Sequence, residues 1–436
     1  MLQKITYKNS DNDFDINIEV LSSRFDRICF FESNKKANNN KNLYSSKIVA
    51  IGANEELIIK KTGTALSELQ EFYDKKKGWL FGFFSYDLKN EIEELTSKNT
   101  DNIKFPLLHF FSPKVVLQIE NEITFLFYDD DFISKSEAEE IYILSLSPSN
   151  HHYKEGLKKI NIQSKITKEE YIDSVNQLKN HILKGDIYEI NFCQEYFATN
   201  AELNPVQIFK KLNSISQAPF AAFCKFSEHY LICSSPERFL QKRGNTLISQ
   251  PIKGTTKRSE NKYEDEELKN QLYRNQKERS ENVMIVDLVR NDLSRIAERG
   301  TVNVDELFEI YSFKQVHQMI STISCKLKNN IPFSEIIKAT FPMGSMTGAP
   351  KVSAMKLIDE FESTKRGLYS GAVGYIAPNG DFDFNVIIRS ILYNKENKYL
   401  SLMVGSAITD KSTAQLEYDE CLLKAKAMFD VLQISF

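Results

Sequence analysis

The chain is poor in the residues that staple or break a fold. Its 436 residues include one tryptophan, six cysteines, 16 glycines and 11 prolines. So little glycine and proline excludes collagen-like and low-complexity chains. The cysteines, Cys29, Cys193, Cys224, Cys233, Cys325 and Cys421, form no Cys-x-x-Cys pair, so no zinc-type spacing exists. The longest apolar stretch near the front, Trp79–Phe84, is far short of the roughly 20 residues that span a bilayer. The opening MLQKITYKNSDNDF lacks the apolar core of a secretory signal. These absences predict a cytoplasmic protein with reduced thiols. Net charge is −3, so a basic nucleic-acid footprint is missing too. Gly-x-Ser-x-Gly, His-Glu-x-x-His, Gly-x-Gly-x-x-Gly and P-loop spacings are all absent.

What is present suits a large globular chain: 42% apolar and 26% charged residues, enough to bury a sizeable core. The polar stretch Asn34–Asn42 predicts a surface loop. The soft segment Ser147–Lys165, with Pro148 and a lysine-rich tract, marks a boundary between residues 1–150 and 166–436. Helical periodicity is expected over Ser67–Lys77, and a buried strand over Trp79–Tyr86. Thr167 and Glu170 have capping-box spacing, Tyr171, Val175, Leu178 and Ile182 repeat on one helix face, and Gly185 can end that helix. A strand at Ile187–Phe197 should put Tyr188, Ile190 and Phe192 on one face and Glu189 and Asn191 on the other. Polar groups there predict a face that lines a cavity or meets water.

Further strands are expected at Phe220–Phe226, Tyr230–Ser234, Thr246–Gln250, Thr301–Val304, Ala372–Ile376, Phe384–Leu392 and Tyr399–Val404. Helices are expected at Lys262–Tyr273, Lys277–Glu298, Phe333–Thr340, Pro350–Phe361 and Thr413–Leu432. Strands come in pairs rather than alternating with helices, which favours an α+β fold with largely antiparallel sheets.

Several constellations have chemical potential. Glu278 and Glu281 are three apart on one expected helix, and Glu417 and Glu420 on another. Two facing pairs suit a hard divalent cation such as magnesium; a single such pair is also what a solvated acidic face looks like. Gly344–Lys351 (GSMTGAPK) is a small-residue loop before a helix, with Pro350 suited to the first turn. It is either an anion-receiving helix start or a plain turn. Lys253, beside Gly254 after a strand, is either a surface lysine or a nucleophile in a partly dry pocket. Glu237 in Ser235-Pro-Glu-Arg238 is a general acid or half of an ion pair. Arg389, in an apolar run, calls for a carboxylate partner from protein or ligand. His317 reads as a structural histidine.

Taken in order, GDIYEINFCQ, QAPFAAF, SSPERFL, PIKGTTKR, SENVMIVDLVRNDLSRIAERGTVNV, GSMTGAPKVSAM, GAVGYI, IIRS and EYDECLLKAKA resemble the chorismate-utilising enzymes across nearly all of Lys168–Phe436. Phe30–Ser33 resembles the segment that lines a tryptophan pocket in relatives, which makes Ser33 a candidate for bound tryptophan. Gly82–Leu88 resembles the family's GxxxYDL strand. The resemblance implies a composite sandwich of two largely antiparallel β-sheets flanked by helices, the anthranilate synthase large-subunit-like fold.

Within the family, PIKGT resembles the aminodeoxychorismate branch, whereas anthranilate synthases show PIAGT. QAPFAAF and Gln318, which stands where anthranilate synthases carry a histidine, point the same way; Gln318 is given no catalytic role. The resemblance implies that Lys253 attacks ring C2 of chorismate while the 4-hydroxyl leaves, and that ammonia then adds at C4 and expels the lysine. Glu237 matches the acid that protonates the leaving hydroxyl. Glu281 and Glu420 match magnesium ligands, supported by Glu278 and Glu417. Tyr375 and Arg389 match residues that hold the pyruvyl side chain. Backbone amides at Gly405, Ser406 and Ala407, with Lys424, match the ring-carboxylate pocket. Thr255 and Thr347 are expected substrate neighbours. At Glu189 isochorismate-forming relatives carry a water-activating lysine, so hydration chemistry is not expected. No glutaminase portion is visible, which implies a glutamine amidotransferase small subunit supplying ammonia. The competing expectations are an anthranilate synthase large component with an unusual lysine, and a chorismate- or tryptophan-binding protein without turnover.

Overall fold

The computed structural model describes residues 1–8, 16–34, 46–148, 160–314 and 316–433. The centre of the expected loop at Asn34–Asn42 and of the Ser147–Lys165 stretch therefore lies outside the described residues.

The described strands form two sheets. The larger runs, edge to edge, through Leu2–Lys8, Ile123–Asp129, Val115–Glu120, Ser46–Ile51, Arg27–Glu32, Phe220–Phe226, His229–Ser235, Ser390–Asn394, Tyr399–Ile408, Glu189–Ala198 and Gly348–Ala349, with Gln163–Ser164 also on Glu189–Ala198. The smaller runs through Ile252–Lys257, Val316–Lys326, Thr246–Gln250, Arg238–Arg243, Phe382–Val386, Ala372–Ile376, Leu80–Phe84, Leu108–Ser112 and Glu55–Ile59, with Asn303–Ser312 beside Val316–Lys326. Every pairing between these strands is antiparallel. This is the α+β sandwich that paired strands predict. Both sheets draw strands from residues 1–150 and from 166–436: Arg27–Glu32 pairs with Phe220–Phe226, and Leu80–Phe84 with Ala372–Ile376.

Two apolar layers follow. Between the sheets lie Phe81, Phe83, Val373 and Leu240 from one side and Cys193, Cys224, Leu231 and Met403 from the other. Outside the larger sheet, Phe192, Ile232 and Leu402 pack against Tyr171, Val175 and Leu178 of helix Lys168–Lys184 and Cys421, Ala425 and Met428 of helix Ala414–Leu432. The first helix has the expected capping box at Thr167 and Glu170, and Gly185 ends it in the left-handed conformation.

Other expectations shift. Tyr188 precedes its strand and is exposed, while Ile190 and Phe192 are buried as the alternation requires. The single strand expected at Phe384–Leu392 is two strands, Phe382–Val386 and Ser390–Asn394, in different sheets. Arg389, at φ 49°, makes the turn between them. Pro350 is not in the first turn; it sits before helix Lys351–Phe361 with extended backbone. Lys277–Glu298 stops at Ser294. Strand Val316–Lys326 and helix Pro205–Ser216 were not expected.

Near the centre, Arg366 joins parts that are remote in sequence. Its guanidinium donates to both oxygens of Glu362, to Met346 O at 2.6 Å and to Asn191 O at 2.7 Å, and lies 4.7 Å from the Tyr86 ring. Glu362 also accepts the Cys193 backbone N–H at 2.9 Å. Removing one partner of a buried pair leaves an uncompensated charge, which costs about 3–5 kcal/mol, whereas an exposed pair contributes at most about 1 kcal/mol. Glu362→Gln should therefore lower unfolding free energy in a denaturant titration by about 3–5 kcal/mol. Glu202→Gln, which breaks the half-exposed pair with Lys398, should change it by less than about 1 kcal/mol.

Candidate active site

The polar face of Glu189–Ala198 turns toward the other sheet, and Glu189 and Asn191 are both buried. Backbone bonds hold this end of the strand: Tyr188 N–H donates to Ala349 O at 2.7 Å and Asn191 N–H to Thr347 O at 2.8 Å. Gly348, at φ 147°, lies so close that a Cβ there would strike the Glu189 carbonyl. The GSMTGAPK loop is thus a third edge of the site. Its Lys351 pairs with Asp292 at 2.5 Å.

Lys253 arrives from the opposite sheet. The register of Ile252–Lys257 against Val316–Lys326 shifts between Ile252 and Thr255, a bulge that re-aims the side chain between them. Gly254, at φ 90°, completes the bend, and a Cβ on it would meet Glu278 Oε2 at 3.1 Å. The Lys253 ammonium donates to Glu189 Oε1 at 2.6 Å, and the two side chains are 8% and 1% exposed. Burial works to discharge Lys253, but Glu189, Glu281 and Glu237 outweigh it and hold the ammonium above its ordinary pKa. Lys253 is therefore not the surface lysine that the sequence left open, and its pocket favours the charged form.

Glu237 lies between His229–Ser235 and Arg238–Arg243, buried, and accepts the Ser345 hydroxyl at 2.5 Å. Burial pushes its carboxyl up to about 7, so near neutrality a large fraction of it carries a proton to give. Its neighbour Arg238 is committed elsewhere, to Asp383 and Gln250.

The four glutamates converge. Lys277 donates to Glu417 at 2.9 Å and lies 3.8 Å from Glu281. Burial raises Glu281 to about 8, and burial and then Glu420 raise Glu278. For Glu420, burial is outweighed by Lys424, 2.7 Å away, and its carboxyl lies below the ordinary value. Lys424 also donates to Gly405 O at 2.9 Å. Glu281 Oε1 and Glu417 Oε2 are buried without a hydrogen-bond partner. Hard oxygen donors, buried, with unused lone pairs and too few cations, fit a magnesium ion. The carboxylates that do gather within 4.8 Å among the described residues, Asp129–Asp131, surround the Met1 ammonium instead.

Arg389 is half-buried, with no carboxylate of the described residues within ion-pair distance; burial lowers its pKa, and the charges acting on it are Glu420 and Tyr369. Tyr375 is not at this place: its ring packs among Phe31, Trp79 and Phe81. Tyr369, buried beside Cys193 and Arg366, is the tyrosine that acts on Arg389. Tyr375 was assigned from the family resemblance alone, and nothing in the spacing singled out Tyr369 before it. Thr255 lies opposite Gln318 in the sheet, and the buried Gln318 Oε1 has no partner. Thr347 is fully buried, its hydroxyl turned to Met343 O and Gly344 O. Gly405, Ser406 and Ala407 pair with Cys193, Phe192 and Asn191, and the Ser406 hydroxyl faces Tyr171 at 3.0 Å, on the helix side. Ser33 follows Arg27–Glu32, away from these groups in sequence and beside Asn34, whose amide donates to Ala218 O.

Comparison with known proteins gives the family. Aminodeoxychorismate synthase component 1 of Bacillus subtilis is 31% identical over 381 residues, covering 85% of this chain and 80% of that protein. Anthranilate synthase component 1 of Aquifex aeolicus is 30% identical over 376 residues, covering 82% and 75%. The crystal structure of anthranilate synthase component I from Streptococcus pneumoniae superimposes with a TM-score of 0.79 at 25% identity, over 96% of this chain and all of that one. The profile of chorismate binding enzymes matches residues 26–430, and the chain belongs to that family.

Proposed function

We propose that the chain is the aminating large component of an aminodeoxychorismate synthase, converting chorismate and ammonia to 4-amino-4-deoxychorismate. The observation that carries this reading is Lys253: a buried amine within the charge cluster that includes Glu237, whose carboxyl burial pushes up to about 7, and the glutamate set. An amine there gives the reaction a nucleophile of its own. It splits one difficult substitution at C4 into two allylic steps.

In this reading Glu237 protonates the departing 4-hydroxyl while Lys253 Nζ bonds to C2. Ammonia then bonds to C4 and Lys253 leaves. Arg389, uncommitted to any described carboxylate, receives the pyruvyl carboxylate, with Tyr369 beside it. Lys424 and the Gly405–Ala407 segment receive the ring carboxylate, and Thr255 and Thr347 border the substrate. Glu281 and Glu420, aided by Glu278 and Glu417, would hold magnesium, which when bound supplies positive charge against the ring carboxylate. Ammonia comes from a glutamine amidotransferase subunit, in keeping with the "component 1" naming of the relatives. A tryptophan pocket at Ser33 belongs to the same proposal; Phe30–Glu32 pairs with Ala221–Phe223, and the Asn34 amide donates to Ala218 O.

The competing 2-amination reading rests on the nearly equal identity to an anthranilate synthase. Product identity separates them. With chorismate, magnesium and ammonium chloride, 4-aminobenzoate should appear only when aminodeoxychorismate lyase is added. Lyase-independent, fluorescent anthranilate would overturn the proposal. Lys253→Ala should abolish the 4-amino product, read by chromatography.

A second expectation concerns pH. Glu237 must be protonated to act, so burst formation of a chorismate adduct without ammonia should decline as pH rises through about 7. Glu237→Gln should slow that step by about 10²–10⁴-fold and remove the decline. Chelation of divalent cations should stop turnover, and magnesium should restore it. Glu281→Gln should raise the magnesium concentration needed for half-maximal rate.

A further inference from the structure

We propose that Glu189 takes the proton from Lys253 before the lysine attacks and returns it when the lysine leaves. The inference rests on the reading of Lys253 as nucleophile. An ammonium has no lone pair, so the charged lysine of this structure must lose a proton inside a buried site before any bond to carbon forms.

The charged groups that face Lys253 come from four elements. They are Glu189 on its strand, Glu237 in its loop, Glu278 and Glu281 on helix Gln276–Ser294, and Glu420 and Lys424 on helix Ala414–Leu432. Among the described residues, Glu189 alone is within ion-pair distance of Nζ, at 2.6 Å. Proton transfer needs that contact. Glu237 accepts the Ser345 hydroxyl and is needed to give a proton, not to take one. Glu281 has Lys277 as the cation within reach. Glu189 Oε2 is buried with no hydrogen-bond partner, so no second donor satisfies the carboxylate and it has capacity for a proton. Its backbone is fixed by pairing with Ala349 and by the close approach of Gly348. The acceptor is therefore positioned before substrate arrives.

The steps balance. Glu189 carboxylate takes one proton from the Lys253 ammonium. The neutral amine's lone pair bonds to C2, both conjugated ring double bonds move by one position, and the C4–O bond breaks; the oxygen leaves as water with the Glu237 proton. The adduct is a secondary ammonium. The ammonia lone pair then bonds to C4, both double bonds move back, and the C2–N bond breaks, releasing Lys253 as an amine. That amine recovers its proton from Glu189, and the new C4 ammonium gives one proton to Glu237. Both carboxyl groups end as they began.

The test is the rate of adduct formation without ammonia, followed by rapid quench and intact mass, between pH 6.5 and 9. Wild type should form the adduct, and Glu189→Gln should form it at least tenfold more slowly at pH 7.5. In that variant the lysine must discharge to water, so its gain of free amine with pH should offset the loss of the Glu237 proton, and the rate should level off above about pH 7 where wild type declines. Glu189→Asp, which keeps a carboxylate, should retain the declining wild-type pH profile at reduced rate. A Glu189→Gln rate and profile equal to wild type, or an Asp variant with the level profile of Gln, would overturn the inference while leaving Lys253 as nucleophile. Absence of any adduct in wild type, with Lys253→Ala still making the 4-amino product, would overturn the nucleophile reading itself. Thermal melting of each variant checks the fold, and the pH profile is a readout that a merely structural Glu189 would not move.

Discussion

The site is governed by an excess of negative charge, part of it buried and part at its rim. Six glutamates, at 189, 237, 278, 281, 417 and 420, face three lysines, at 253, 277 and 424. In a poorly solvated region such an imbalance is relieved in one of two ways: carboxyl groups keep protons, or a cation is bound. The first is visible in Glu237 and Glu281, pushed up to about 7 and about 8. The second is open through the orphaned oxygens of Glu281 and Glu417. The same excess keeps Lys253 charged. The proposed acid, metal donors and nucleophile are therefore one electrostatic system, and a change at any of them acts on the others.

That system needs a scaffold that does not yield. The charges come from both sheets and from two helices, so no single element can position them. Gly254 lets the Lys253 bulge close on Glu278, and Gly348 lets the GSMTGAPK loop close on Glu189. Behind them Arg366 ties Met346 of that loop to Asn191 of the Glu189 strand through a buried pair with Glu362. A cation without water is an expensive way to join three segments. Its donors, however, fix directions that apolar packing leaves loose.

Much of this was legible in the sequence because it depends on local rules. The capping box at Thr167, the left-handed stop at Gly185 and the alternation through Ile190 and Phe192 require only neighbours in the chain. The two glutamate pairs were readable as helix faces, and their convergence followed only from the family resemblance. What local rules missed is set by tertiary context. Arg389 reads as strand, yet the chain crosses there from one sheet to the other, and its left-handed backbone turns the guanidinium out of the ladder. Pro350 reads as a first-turn residue but sits in extended backbone ahead of the helix. Tyr369 has no periodic signature at all; only the fold brings it beside Arg389.

Lys253 shows why the protonation state of a residue is the last thing a sequence discloses. Its neighbours in the chain are Ile252 and Gly254, and on those terms a buried lysine should lose its proton. The fold adds Glu189, whose contact reverses the sign. The ion pair then serves two purposes that pull apart. It keeps the amine from being a free nucleophile in the resting site, and it sets the acceptor within 2.6 Å of the proton that must move. Substrate carboxylates entering beside Arg389 and Lys424 add further negative charge to the region, which favours the charged lysine still more. In the proposed mechanism Lys253 must therefore be discharged against the field of the bound substrate, a step that an acceptor already in contact makes short.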